Sequence, residues 1–503
     1  MQGIEVYWFN LEMLPNRTLI IPFHISKALL LPIVLFLLTV SVLLVPAYCT
    51  SIVNNNTATN DISSINQEND KSYQFNLTDS NLKAELVATG LKFPTSMAFV
   101  GDNDILVLEK ETGTVKRIVN GQMLEKPLID VNVYGLGENG LLGVATAKNN
   151  DIKDNSTNVF LFFSESQKKD TMEMKGGEEP LGNRLYKYEL VNNSLINPQL
   201  VLDLPYSKID SPKHNGGKMI IGPDDNVYVV IGDLGDHYTE AQNAKDGDPA
   251  DGSSGVLVVQ QNRQPIVKNE EGEIEEEEEE ENVGVLGDEN PLNLYYAYGI
   301  RNSFGMDFDP VTGNLWITEN GPDHSDEINL VKAGFNGGYD LIQGMAEEQE
   351  GDVDTNDLVD FDGKGKYNDP EFLWERPIGV TAIKFVNSTK YTEEYKNDVL
   401  VGDFNYGNIY HLELDEDREK LALEGKLSDK IAESSDLNDE MKETIFAQGP
   451  GGIVDIQIGP DGYIYVLSLL ATVSDCDPVL PGCVVTGSVS LEGVIHKIVP
   501  ANN

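Results

Sequence analysis

From residue 81 onward the chain alternates apolar and polar positions in short runs broken by Gly, Asn, Asp and Pro. One unit recurs: an apolar stretch, a tight polar turn, and a second stretch rich in Val, Ile, Tyr and Leu. Its copies are SMAFVGDNDILVLEK (96–110), GVATAKNN with NVFLFFSES (143–166), KMIIGPDDNVYVVIGD (218–233), GMDFDPVTGNLWITEN (305–320), AIKFVNST with NDVLVGDF (382–404) and DIQIGPDGYIYVLSLL (455–470). Period-2 alternation around a turn predicts a hairpin with one face buried. A hairpin returning every few tens of residues predicts a repeat architecture. Further strand-like runs lie between the copies, among them NRLYKYEL (183–190), GVLVVQ (255–260) and NIYHLEL (408–414). The pattern therefore predicts an all-β fold, a six-bladed β-propeller over 81–503. Helical periodicity is confined to 414–446, where LDEDREKLALEGK and SSDLNDEMKETIF predict short helices on a surface insertion.

The first 80 residues follow a different rule. Residues 28–48, ALLLPIVLFLLTVSVLLVPAY, carry no charge and are long enough to cross a bilayer core. Arg17, His24 and Lys27 precede the run, and Asp61 is the first acidic residue after it. This predicts a cytoplasmic or leader segment at 1–27 and a transmembrane anchor or signal peptide at 28–48. Residues 49–80, rich in Asn, Ser, Thr and Asp, predict a disordered tether. The propeller is then expected on the extracellular face of the membrane, or secreted. Cys49 follows the apolar run as a candidate for lipidation. Asn55, Asn76, Asn155, Asn192 and Asn387 head N-x-S/T triplets, and Cys476 and Cys483 in DCDPVLPGC could close a small disulfide loop there.

Charge narrows the partners. With 83 acidic and 36 basic side chains the net charge is −47. Such a chain is not a nucleic-acid binder, because that needs a cationic face. An acidic insertion is read at 263–290, and its segment 270–282 alone holds ten glutamates. Like charges at that density give a solvated, self-repelling loop. No Ser-His-Asp triad, P-loop, dinucleotide fingerprint or HExxH zinc motif is evident.

Candidate chemistry lies where loops meet strands, since polar loops gather at one mouth of a propeller. His214 in KIDSPKHNGGKMIIGPD stands before two glycines and a strand, and a neutral imidazole there is a candidate general base. Arg301 and Asn302 in YGIRNSFGMDF offer a permanent cation and a carboxamide. TENGPDHSDEINL (318–330) supplies Glu319, Asp323, Asp326 and Glu327 around the Gly321–Pro322 step, oxygen donors of the kind hard cations take.

Taken in order, GLKFPTSMAF, NGLLGVA, HNGGKMIIGPDDNVYVVIGD, AYGIRNSFGMDF, TENGPDHSDEINL and GPDGYIYVL resemble the soluble PQQ-dependent sugar dehydrogenases, the glucose/sorbosone dehydrogenase family of six-bladed propellers, over about 84–499. The resemblance implies an enzyme that oxidises a sugar hydroxyl with PQQ and calcium and passes electrons to an external acceptor. It makes His214 the base and gives Arg301 a part in catalysis. It assigns Glu138, Arg301, Asn302, Trp374, Arg376 and Asn405 to the cofactor pocket and Gly321, Pro322 and Asp326 to calcium. The chain also departs from the family. Glu138 stands for a Gln, Lys213 for an Asp, and Asn405 for a Lys. Gly452-Ile453-Val454-Asp455 stands for R-x-R-D. Two alternatives remain open: a non-enzymatic propeller binding a carbohydrate or protein, and a calcium-dependent lactonase-like hydrolase.

Overall fold

The computed structural model describes residues 73–148, 157–167, 180–208, 211–235, 237–268, 283–349, 353–434, 440–472 and 490–501. The predicted segments 1–27 and 28–48, most of the tether, Cys49, Cys476, Cys483, Asn55, Asn155 and the glutamate run lie outside these residues. Among the described residues no helix is long and apolar enough to cross a membrane.

The strands form six sheets of mostly antiparallel pairing. Each sheet contributes one inner strand: Pro94–Gly101, Leu141–Lys148, Met219–Ile221, Gly305–Phe308, Val380–Phe385 and Gly452–Ile458. These touch in that order, and the last returns to the first, so the sheets close into an all-β propeller. Closure joins the two ends of the chain. Leu82–Lys92 adds as outer strand to Ser490–Pro500, with Leu82 opposite Pro500 and Lys92 opposite Glu492.

Apolar faces of neighbouring sheets pack together, as where Leu106, Leu108 and Val115 of the first sheet meet Val144, Val159 and Leu161 of the second. Side chains also stitch the seams. Thr95 donates to the Leu141 carbonyl at 2.8 Å and Thr318 to the Thr381 carbonyl at 2.8 Å. Asp307 accepts the Phe385 amide at 2.9 Å and Lys384 at 2.9 Å. Gly305 lets two inner strands approach: a Cβ there would lie 2.1 Å from the Thr381 carbonyl oxygen.

Two expectations need correction. The predicted tether ends before residue 80. Asn76–Leu77 pairs antiparallel with Ile445–Gln448, and Phe75 and Leu77 pack on the core of the fifth and sixth sheets. A polar composition hid this strand, because an outer strand buries only one or two side chains. The predicted helix over 414–426 is also absent, since Leu414 bridges antiparallel to Leu421 and Gly425–Asp429 is a 3-10 turn; of the predicted helix over 434–446, residues 435–439 lie outside the described residues and Met441–Thr444 is a 3-10 turn. Beyond the Gly425–Asp429 turn, Ile431–Ala432 pairs parallel with the strand Phe372–Trp374.

A chain beginning at Leu82 is expected to melt about 2–5 °C below one beginning at Tyr73, because it loses the half-buried Phe75 and Leu77. Equal melting temperatures in differential scanning calorimetry would show that the added strand contributes nothing.

Candidate active site at the propeller mouth

Strand direction fixes where the chemistry gathers. The six inner strands run alike, so the residues that precede them and the connections between second and third strands all emerge at one end. Lys110, Glu138, His214, Asp233, Arg301, Gly321, Arg376 and Phe404 belong to these connections. The sequence-predicted residues are thereby brought to one mouth.

His214 is the most constrained of them. It is 5% exposed and sits at φ 60°, a left-handed conformation that costs a non-glycine residue about 1–2 kcal/mol. Three bonds hold it there. Its amide donates to Glu138 Oε2 at 2.7 Å, its carbonyl accepts the Leu234 amide at 3.2 Å, and Nδ1 lies 2.7 Å from Asp233 Oδ1. Asp233 is fully buried and also accepts the Gly235 amide at 2.8 Å. Burial alone would raise its pKa, but the bonds from His214 and Gly235 outweigh that and hold the carboxyl below its ordinary value. In the neutral imidazole an ionised Asp233 fixes the proton on Nδ1. Nε2 then has a free lone pair and no hydrogen-bond partner among the described residues.

Arg301 joins this pair to the next sheet. Its carbonyl accepts the Asp233 amide at 2.8 Å, and its amide donates to Glu319 Oε1 at 2.6 Å. Nη1 donates to the carbonyls of Asn320 at 2.7 Å and Gly321 at 2.9 Å. Asn302 donates to Glu138 Oε2 at 3.1 Å, and its buried Oδ1 has no partner among the described residues. Glu138 is therefore a bridge between His214 and Asn302 rather than a free pocket wall.

Asp326 is not placed as a metal ligand. Oδ1 accepts the Gly321 amide at 3.0 Å, and Oδ2 accepts the amides of Ile378 at 2.8 Å, Gly379 at 2.7 Å and Val380 at 3.2 Å. It staples the Gly321–Pro322 turn to the fifth sheet. Pro322 is exposed, and Gly321 already offers its carbonyl to Arg301. Among the described residues no cluster of three His, Cys, Asp or Glu side chains could hold a metal.

Trp374 is a second correction. It is fully buried against Phe372 and Tyr410, with ring centroids 4.8 and 5.7 Å away, in the core between the fourth and fifth sheets. Its place in a strand paired with Asp326–Val331 turns the ring inward, away from any pocket. Arg376, two residues on, is exposed and has no ion-pair partner among the described residues. Asn405 is exposed too, its carboxamide 3.3 Å from where a Gly379 Cβ would stand.

The loss of the family's cations has a steric counterpart. A Cβ on Gly452 would lie 2.6 Å from the Phe404 carbonyl oxygen and 2.7 Å from its ring. The 44%-exposed Phe404 ring occupies the space a side chain at 452 would need. Among the described residues Arg301, Arg376 and Lys213 are cations on the connections at this mouth, with the carboxamides of Asn302 and Asn405. That donor set fits a polyanion, through fewer charges than the family pattern provides.

Sequence reasoning missed Asp233 and did not see what Glu319 and Glu327 form. The signal was present in the repeat: Glu109, Glu319 and Asp403 end the second strand of their hairpins, and Asp233 stands two residues past the end of its own, Val227–Ile231. Glu319 and Glu327 stand directly opposite across two strands, both buried, and Glu319 Oε2 has no partner among the described residues. Burial first, then the Glu327 charge, pushes Glu319 well above the carboxylate range. Burial pushes Glu327 up to about 7 against bonds from Asn329 and Gly344. A cavity of about 200 Å³ lined by Leu86, Asn103, Ile105, Tyr465 and Lys497 lies among connections of the opposite end and has no part in this site.

The acid pair sets a pH dependence. A folded-state pKa raised from 4.5 to about 7 gives stability that is present in full below the unfolded value and lost as pH rises through about 7. The melting temperature is thus expected to fall between pH 5 and 8, and Glu327→Gln should flatten that fall. An unchanged slope in the variant would remove Glu327 as its source.

A family profile of glucose/sorbosone dehydrogenases matches residues 91–470. An aldose sugar dehydrogenase of Escherichia coli is 23% identical over 403 residues, covering 77% of this chain and 90% of that protein. Quinoprotein glucose dehydrogenase B of Acinetobacter calcoaceticus is 28% identical over 283 residues, covering 53% of this chain and 54% of that protein. The PQQ-bound aldose sugar dehydrogenase of Streptomyces coelicolor shares the fold with a TM-score of 0.53 at 19% identity, over 84% of this chain and 99% of that one. With a profile match spanning most of the closed ring and the His214–Asp233 and Arg301–Asn302 pairs at its mouth, the chain belongs to the glucose/sorbosone dehydrogenase family.

Proposed function

We propose that this protein is a quinoprotein sugar dehydrogenase, a six-bladed propeller that oxidises an aldose hydroxyl and passes the electrons to an external acceptor. The observation that carries the reading is the buried His214, tied at Nδ1 to an ionised Asp233, with Nε2 unpartnered among the described residues and with Asp233 and Glu138 linking it to Arg301 and Asn302. PQQ, when bound, supplies the two-electron acceptor. His214 Nε2 takes the proton of the sugar hydroxyl, and Asp233 stabilises the imidazolium that results. Glu138 holds the His214 backbone, so the base cannot relax from its left-handed conformation. Arg301 and Asn302 would bind the anionic cofactor, with Arg376 and Lys213 at the rim. Calcium belongs to this reading as the counter-charge that missing protein cations leave unprovided. The apolar run at 28–48 supports a place outside the cell, anchored or secreted.

The Phe404 ring standing over Gly452 favours a second reading, a propeller that binds a carbohydrate without oxidising it. Titration of the protein with PQQ, with and without calcium, followed by dye reduction with aldoses, separates the two. Uptake and turnover support the dehydrogenase; no uptake under any condition supports the binding module.

His214→Ala is expected to lower kcat by about 10²–10⁴-fold with the fold retained. Asp233→Asn should lower it by about 10-fold or more, since a carboxamide can present the wrong group to Nδ1. Full activity in both would take the pair out of the mechanism. PQQ affinity is expected to depend steeply on calcium and to fall about 10-fold or more in an Arg301→Ala/Arg376→Ala double variant. Tight calcium-independent binding, unchanged in that variant by equilibrium titration, would place the pocket elsewhere.

A further inference from the structure

Lys110 lies outside the residues that the proposed chemistry uses, yet it is buried directly beneath them. It follows the strand Asp104–Glu109, is 5% exposed, and its amide donates to the Phe93 carbonyl at 3.0 Å. Its ammonium has three N–H groups and finds three carbonyls, all from one loop. Nζ lies 3.2 Å from the Gly135 oxygen, 2.7 Å from Gly137 and 3.0 Å from Asn139. The Phe93 ring covers it at 4.7 Å. This loop carries Glu138, whose carboxylate bonds His214 and Asn302 and whose amide donates to the Pro212 carbonyl at 2.9 Å. Packing leaves the loop little freedom: a Cβ at Gly140 would lie 2.7 Å from Lys110 Cγ, and one at Gly137 would lie 2.1 Å from the Pro212 oxygen.

We infer that Lys110 is a positioning residue: its ammonium gathers the carbonyls of loop 135–139, sets Glu138, and through Glu138 holds His214 and Asn302 in place. The match is stoichiometric. An ammonium offers three donors to three acceptors, whereas a neutral amine offers two and turns its lone pair toward the third carbonyl. A buried carbonyl would then be orphaned and the loop loosened. Burial lowers the Lys110 pKa to about 8, while Glu111 and Glu138, the charged groups facing it, oppose that shift. The device is thus set to release the loop in weakly alkaline solution. The effect on turnover rests on reading His214 as the base; the effect on the loop does not.

The test is amide hydrogen exchange by mass spectrometry on the full chain without cofactor, corrected for intrinsic rates, at pH 6.5 and 9. Wild-type protein should show about tenfold faster exchange in peptides spanning 135–140 and 212–217 at pH 9, with the outer strands unchanged. Lys110→Met should show that faster exchange already at pH 6.5. Lys110→Arg, which stays charged, should abolish the pH step. Should Lys110→Met fail to fold, the wild-type and Lys110→Arg profiles still decide. Exchange at 135–140 that is indifferent to pH, or a step that persists in Lys110→Arg, overturns the proposal. Where sugar oxidation is measurable, the alkaline limb of kcat should move upward in Lys110→Arg. An absence of sugar oxidation counts against the proposed function and leaves the exchange result to judge Lys110.

Discussion

The pairing of Leu82–Lys92 with Ser490–Pro500 is the interaction on which the rest depends, because it turns six sheets in a row into a ring. An open row would leave an inner strand at each end with one uncovered face. Closure brings Gly452–Ile458 against Pro94–Gly101, and the Asp455 carboxylate then accepts the Met97 amide at 2.9 Å and the Ser96 hydroxyl at 3.2 Å. Lys218, from the third sheet, reaches the same carboxylate at 2.6 Å. The third and sixth sheets face each other in the ring, so this buried ion pair bridges the channel beneath the mouth. A buried pair of this kind adds little net stability, since desolvation offsets attraction, but breaking it would strand a charge.

Above that floor the mouth is organised by acids. Glu109, Asp233, Glu319 and Asp403 stand at or just past the ends of equivalent strands and accept amides or hydroxyls of the segments that follow or adjoin them. Asp403 alone accepts the amides of Tyr406, Gly407 and Asn408. One repeated device thus serves different ends: it pins a turn at Asp403, orients the imidazole at Asp233, and holds the Arg301 backbone at Glu319. Each of these carboxylates has at least one oxygen bonded to the protein itself.

The same economy explains how the mouth can depart from its family pattern without collapse. Phe404 donates its amide to Gly379, whose own amide bonds Asp326, and its ring fills the space over Gly452. That apolar contact keeps the loops of the fifth and sixth sheets packed, and the arrangement around His214 lies two sheets away from it.

The repeat of apolar hairpins specifies six sheets, because period-2 alternation and turn residues are local properties, and His214, Arg301 and Asn302 stand out by their motifs. Composition by itself also argues against a nucleic-acid partner. Other features depended on residues far apart in sequence. Asn76–Leu77 becomes a strand only because the edge of the fifth sheet accepts it, against a polar composition. Trp374 matches a pocket residue in sequence but faces the core, since strand pairing decides which side of a sheet a residue takes. Glu138 is read as a pocket wall until the fold sets it between His214 and Asn302, and Lys110 has no signature at all until three carbonyls converge on it. Local pattern determines the strands and names the reactive side chains. Ring closure decides which of them meet, because hydrogen bonds between residues scores of positions apart exist only after the ring has formed.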